Sequence, residues 1–151
     1  MAKQCWTPHV TVATVVEKDG LFLLVHENPD DRPVYNQPAG HLDEGESLIT
    51  AAVRETFEET GWRITISDYL GVYRYLAANG VTYLRHGFVG QTVEHNPNQP
   101  LDTGIIEAVW LTYAEIVANQ AQLRSPMVLR LIDDYLADRR YPLAVLHEED
   151  A

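Results

Sequence analysis

The sequence predicts an α/β fold: a mixed β-sheet held between helices in an α/β/α sandwich. Three observations carry that reading. Strand-like segments lie in both halves of the chain, a helical segment with legible caps separates them, and helical segments follow the last strand. A regular βαβ series would alternate throughout, and this order does not. The 151 residues fit one domain, spanning 1–151, with a sizeable core.

The elements follow in order. "HVTVATVV", from His9, is rich in β-branched residues and reads as a strand. "EKDG" is a turn closing on Asp19-Gly20, and "LFLLVHE" is the second arm of a hairpin. That arm is apolar on both faces, which places it inside a sheet covered on both sides. "NPDDRP" is a loop, and "YNQPAGHLDEGE" is a short strand running into a longer loop. Ser47 caps a helix that runs to Thr60, and Gly61 suits the left-handed residue beyond its end. "RITISDYLGVYRYLAA" and "VTYLRHGFVGQTVE" are long strands around Asn79-Gly80, followed by the polar, Pro-rich loop "HNPNQPLDTG" and the strand "IIEAVWL". Thr112 and Glu115 form a capping box for a short helix. Ser125 and Pro126 fit N-cap and N1 of a last helix reaching Arg140. Its Val128, Leu131, Ile132, Tyr135 and Leu136 recur at helical spacing and belong to the core. "HEEDA" reads as a solvated tail.

Apolar content of 46% and charged content of 22% are those of a soluble globular protein. No apolar run approaches the roughly 18–20 residues of a membrane span. The N-terminus shows no apolar signal-peptide core, so the expected location is cytoplasmic. The single Cys5 excludes an internal disulfide and a cysteine zinc site. A net charge of −11 without a basic patch argues against a DNA duplex as partner. It leaves phosphate esters open where a divalent cation mediates the contact.

The separating helix carries the chemistry. Glu55, Glu58 and Glu59 stand near its C-terminal end, where the helix dipole disfavours anions and like charges repel. At about 100° per residue the three lie in one arc of roughly 100°. Ile49, Ala52, Val53, Thr56 and Thr60, with Phe57 just beyond, form the neighbouring apolar sector. The carboxylates are therefore expected as a separate stripe beside the buried face. Arg54 lies next to Glu58 and can pair with it at i, i+4. A surface stripe of this kind is usually solubilising; grouped at the unfavourable helix end, it calls for a compensating cation. All-oxygen donors suit a hard ion, Mg²⁺ above all, with Mn²⁺ able to substitute.

The segment reads G-x5-E-x7-R-E-T-x-E-E-x-G-W, from Gly40 to Trp62. It resembles the Nudix box, G-x5-E-x7-R-E-U-x-E-E-x-G-U, with U a bulky aliphatic residue. Gly40, Glu46, Arg54, Glu55, Glu58, Glu59 and Gly61 match; Thr56 and Trp62 depart at the U positions, which concern packing. The resemblance implies a Nudix hydrolase that cleaves a diphosphate bond with Mg²⁺ or Mn²⁺. It implies metal ligands at Glu55, Glu58, Glu59 and the carbonyl of Ala39, orientation of the glutamates by Arg54, and a supporting role for Glu46. The general base would be a box glutamate, Glu58 among them, or an acidic residue outside the box. Glu107 is the outside candidate, because it alternates with Ile105 and Val109 where an apolar residue is expected.

"PHVTVA", "NQPAGHL", "LRSP" and "RYPL", spread from Pro8 to Leu143, resemble a bacterial phosphatase branch of that family. The branch implies release of phosphate from small di- and triphosphates: hydroxymethylpyrimidine diphosphate, thiamin diphosphate and some nucleotides. Tyr35 could stack on a heterocycle and Gln37 hydrogen-bond one, while Arg85 could hold phosphate. His9 and, after it, His86 are further pocket candidates; His41 is assigned no role. For each of these candidates, ordinary packing or surface exposure is a commoner role than substrate contact. Alternatives are a general nucleotide or nucleotide-sugar pyrophosphatase and a non-catalytic nucleotide-binding module; the intact box carboxylates weigh against the module. Monomer and homodimer are both compatible with the chain.

Overall fold

The computed structural model describes residues 1–150 and contains seven strands and three α-helices. They are β1 (His9–Lys18), β2 (Leu21–Glu27), β3 (Val34–Asn36), β4 (Ala39–His41), α1 (Leu48–Thr60), β5 (Trp62–Leu76), β6 (Thr82–His95), β7 (Ile105–Thr112), α2 (Tyr113–Ala118) and α3 (Met127–Leu136). The sheet is mixed: β1 runs parallel to β6, and the other pairings are antiparallel. Helices cover both faces. Ala13, Val15, Phe22 and Leu24 pack with α2 and α3 residues Ile116, Val128, Leu131 and Ile132. On the other face Val12 and Phe88 pack with Ala51 and Ala52 of α1. Period-2 alternation along β1 thus feeds both layers, as its two-sided apolar pattern requires. No helix among the described residues is long and apolar enough to cross a membrane.

The β1–β2 hairpin turns through Asp19 and Gly20 with φ of 52° and 79°, the two positive values a type I′ turn needs. The arms then separate. They pair only at Glu17↔Phe22 and Lys18↔Leu21, next to the turn. Beyond it, β1 takes β4 as neighbour (Val12↔Gly40) and β2 takes β3 (Val25↔Asn36). Residues 34–41 therefore fill the split, and the functional cleft opens there. A change of neighbours along a sheet is where α/β folds leave a crevice for ligands.

The caps of α1 form as expected. Ser47 Oγ accepts from Thr50 N at 3.0 Å, and Gly61 takes φ 74°. The Thr112–Glu115 capping box is present. Pro126 is already helical, and Ser125 Oγ accepts from Met127 N at 3.2 Å. Two expectations need correction. The last helix stops at Leu136, short of Arg140, because Asp138 turns left-handed (φ 58°) and Arg139 N returns to the Asp134 carbonyl. The C-terminal segment is not wholly a free tail. Tyr141 pairs with Tyr69, Leu143 and Leu146 pack on the α1 side, and Glu148 accepts from Leu48 N at 2.8 Å. An anion on the first turn of α1 meets orphan N–H groups and the positive dipole end. Glu148→Ala is expected to cost about 0.3–1 kcal/mol, read as a lowered melting temperature whose deficit shrinks in high salt.

Candidate active site

Helix α1 approaches β4 closely because the facing residues, Ala39 and Gly40, are nearly bare. A Cβ on Gly40 would fall onto the carboxyl group of Glu55, far inside van der Waals contact. This close approach alters the expected helix wheel. The buried positions are Ala51, Ala52, Thr56, Glu59 and Thr60, so Glu59, 5% exposed, lies within the packed face rather than on a separate stripe. Ile49, Val53 and Phe57 are only half-buried. Thr56, in the place of a bulky aliphatic residue, satisfies its buried hydroxyl by donating to the Ala52 carbonyl at 2.8 Å. Trp62 is a packing position, stacked on His95 with ring centroids 4.6 Å apart.

Arg54 organises the carboxylates. Its Nε and Nη2 grip Glu46 at 2.9 and 2.6 Å, and Nη1 donates to Glu55 and Glu58 at 2.9 and 3.1 Å. A third direction, Nη2 to the His41 carbonyl at 3.0 Å, ties the fork to β4. The bidentate grip holds the Glu46 carboxyl below the usual carboxylate range, and Glu46 in turn raises the Arg54 guanidinium. Glu46 anchors Arg54 and has no contact of its own with the helix-end glutamates. Lysine could keep the charge but not the fork. Arg54→Lys is expected to lower kcat about 10- to 100-fold with an unchanged circular dichroism spectrum.

Glu59 points at β4 and accepts from Ala39 N at 2.7 Å. Leu42 N and the Pro38 carbonyl are bonded to β1, so by strand alternation Ala39 turns its carbonyl away from β1, toward the same edge as Glu59. Burial pushes the Glu59 carboxyl up to about 9, opposed by the Ala39 N–H and reinforced by the charges of Glu27, Glu55 and Asp102. Burial also raises Glu55, with Arg54 opposing. Oxygens of Glu55, Glu58 and Asp102 all lie within 4.8 Å of one another.

Asp102 was not foreseen. It sits in the Pro-rich loop after β6, where no periodicity marks it. The loop folds over the end of α1: Asp102 N donates to the Glu58 carbonyl at 3.1 Å and Asn96 N to Gly61 at 2.9 Å. Capping the orphan carbonyls of α1 is what brings this fourth acid to the glutamates.

An open cleft of about 900 Å³ runs from Ala39 and Gly40 past Asn36 and Arg85 to Tyr83 and Arg124. Of the substrate candidates, Arg85 faces it. Gln37 is 1% exposed and holds structure together, donating to the Val128 carbonyl at 2.7 Å and accepting from Arg85. Tyr35 lies outside the cleft, stacked on His26 at 4.6 Å. His9 is exposed at the rim, 3.1 Å from His41 and edge-on to Tyr83. His41, given no role from the sequence, lines the cleft. His86 lies elsewhere, bonded to Tyr69 Oη at 2.8 Å, its pKa lowered by burial. Glu107 is exposed opposite His26. It shares a face with Val109 and Leu111, which pack toward α2 and α3, whereas the other carboxylates come from α1 across the sheet. The structure does not bring it to the cluster. Glu27 and Asn36, also unforeseen, join the cleft because β3 pairs beside the end of β2.

The NUDIX domain model matches residues 7–131. The chain belongs to the Nudix family. Phosphatase NudJ of Escherichia coli (strain K12) is 38% identical over 139 residues, covering 92% of this chain and 90% of that protein. A NUDIX hydrolase from Nitrosomonas europaea is 48% identical, with a TM-score of 0.93 over 95% of this chain and 98% of its own. The NUDIX domain of Shewanella oneidensis NrtR, solved with ADP ribose, shares the fold at 18% identity, with a TM-score of 0.72 over 89% of this chain and 90% of its own. This Nudix chain is a hydrolase, and its acidic cluster occupies the box helix and the loop that caps it.

Proposed function

We propose that this Nudix hydrolase cleaves the terminal phosphoanhydride bond of small organic di- and triphosphates and releases phosphate. Hydroxymethylpyrimidine diphosphate, thiamin diphosphate and nucleotides are the expected substrates. The observation that carries the reading is the convergence of Glu55, Glu58 and Asp102 within 4.8 Å, beside a cleft that holds a buried arginine. The name of the 38% identical relative, a phosphatase, supports the choice of product. The donors are all oxygens, and Gly40 leaves room for the Glu55 carboxylate at the edge where the Ala39 carbonyl emerges, so the site fits a hard divalent cation. Glu55, Glu58, Glu59, Asp102 and the Ala39 carbonyl would hold Mg²⁺, with Mn²⁺ able to substitute. Such a cation supplies charge neutralisation at the phosphoryl group and a more acidic water.

The protein's own groups do the remaining work. Arg54 fixes Glu55 and Glu58 so that no reorganisation is needed during the reaction. Glu58, the most open of the three helix-end glutamates at 36% side-chain exposure, would take a proton from the attacking water. Arg85 holds the phosphate end of the substrate. The test is product analysis with Mg²⁺ and a panel of pyrimidine, thiamin and nucleoside di- and triphosphates. Orthophosphate is expected. Pyrophosphate or paired monophosphates would identify the nucleotide pyrophosphatase instead, and an absence of any turnover would remove the enzymatic reading.

A further inference from the structure

Arg85 is held unusually for a buried cation. It is 8% exposed, yet no carboxylate among the described residues forms an ion pair with it. Both of its hydrogen bonds leave from Nη2, to the amide oxygens of Asn36 at 2.9 Å and Gln37 at 3.1 Å. Its Nε is buried without a partner. Buried charges are ordinarily paired, and a guanidinium has five donors to satisfy. The amide acceptors are themselves oriented: Gln37 donates to the Val128 carbonyl, and Asn36 donates to Glu27 at 3.3 Å. Two neutral oxygens thus fix the guanidinium without cancelling its charge. The two carboxylates near enough to act on its charge, Glu27 and Glu59, are bonded elsewhere: Glu27 accepts from Arg124 at 3.0 Å and Glu59 from Ala39 N at 2.7 Å. What remains is a cation with no ion-pair partner on the wall of the cleft, with the carboxylates of α1 beyond Ala39 and Gly40.

We propose that Arg85, set by Asn36 and Gln37, is a subsite for the free terminal phosphoryl group of the substrate, and that it selects anhydrides with one free end over those capped by organic groups at both ends. The inference rests on the hydrolase reading above and names its substrate class. A terminal phosphoryl group carries three non-bridging oxygens and a charge of about −1.5 to −2, enough to face a guanidinium on one side and the acidic cluster's cation on the other. A phosphoryl group inside a doubly capped diphosphate has one oxygen and one charge fewer. It cannot satisfy both sides, and a buried donor left unpaired rejects the poorer ligand.

The test uses calorimetric titration of the intact protein in Mg²⁺ with methylenediphosphonate, which is not hydrolysed, and with its P,P′-dimethyl ester. The parent protein is expected to bind the free-ended probe about 10- to 100-fold more tightly. In Arg85→Met that preference should fall to within about twofold, with binding of the dimethyl ester little changed. Asn36→Asp keeps the arginine and sets an internal carboxylate against it, so it provides the same reading should Arg85→Met fail to fold. The variant gives up the hydrogen bond to Glu27 and so loses some stability, but in the folded protein its preference should collapse. Equal binding of the two probes by the parent overturns the inference. So does a preference retained in either folded variant, which would assign it to the divalent cation alone. Because binding is read without turnover, a protein that binds selectively but releases no product would remove the hydrolase reading and leave the subsite standing.

Discussion

Glu59→Gln is expected to slow the enzyme about a thousandfold and, at the same time, to make the metal-free protein more stable. The two effects share one cause. Glu59 is 5% exposed and its described support is a single N–H, from Ala39 at 2.7 Å. Burial therefore favours the neutral acid, lifting its pKa from the ordinary 4.5 to about 9. Folding favours the protonated form, so the stability it contributes is complete below about pH 4.5 and is lost as pH rises through about 9. Glutamine keeps the acceptor for Ala39 N and cannot ionise. It should stabilise the metal-free protein by about 1–3 kcal/mol at the alkaline end of that window and make little difference near pH 5. Thermal unfolding in chelator from pH 5 to 9 reads this directly. As a proposed ligand of the divalent cation, Glu59 would give up its proton when the cation binds. Titrations in buffers of different ionisation enthalpy should show about one more proton released by the parent than by the variant near neutral pH. The lost turnover follows from losing one anionic ligand of a cation that supplies several kcal/mol to the transition state. Parental turnover together with an unchanged pH–stability profile would remove Glu59 from the metal site.

Much of this was legible because it is local. The caps of α1 at Ser47 and Gly61, the type I′ turn at Asp19-Gly20 and the spacing of the glutamates depend on neighbours within a few residues. What escaped depends on which parts of the chain meet. Asp102 reaches the cluster because its loop caps α1, a contact no periodicity announces. Glu107 alternates correctly with Val109, but alternation does not say which helix layer covers that face, and here it is the layer opposite α1. The parting of β1 and β2 was hidden for the same reason. The two strands read as the arms of one hairpin, and only the strands formed by residues 34–41 pull them onto different neighbours. That split puts Asn36 in the cleft and turns Tyr35 away onto His26. The wheel of α1 gave the angular positions of the glutamates but not the depth of Glu59, which is set by two small residues on another strand.

Those residues lead to the second large effect. Gly40→Ala adds one methyl group and is expected to reduce turnover about 100- to 1,000-fold while the protein still folds. Gly40 does not have a positive φ, so alanine meets no backbone penalty there. The difficulty is space: the new Cβ would clash with the carboxyl group of Glu55. Either β4 retreats or Glu55 does. Gly40 pairs with Val12, a fully buried residue of the central strand, so moving β4 would disturb the sheet. Glu55 is a flexible side chain held through Arg54, so it should yield first, carrying its oxygens away from Glu58 and Asp102. Divalent-cation affinity should then fall with turnover, against a stability loss of only about 1–3 kcal/mol. Gly45→Ala separates the two causes. Its φ is +80° and nothing lies within 4 Å of an added Cβ, so it should lose about 1 kcal/mol of stability and keep parental metal affinity and turnover. If Gly40→Ala and Gly45→Ala behave alike, the box glycine serves its loop; if only Gly40→Ala loses the cation, it serves Glu55.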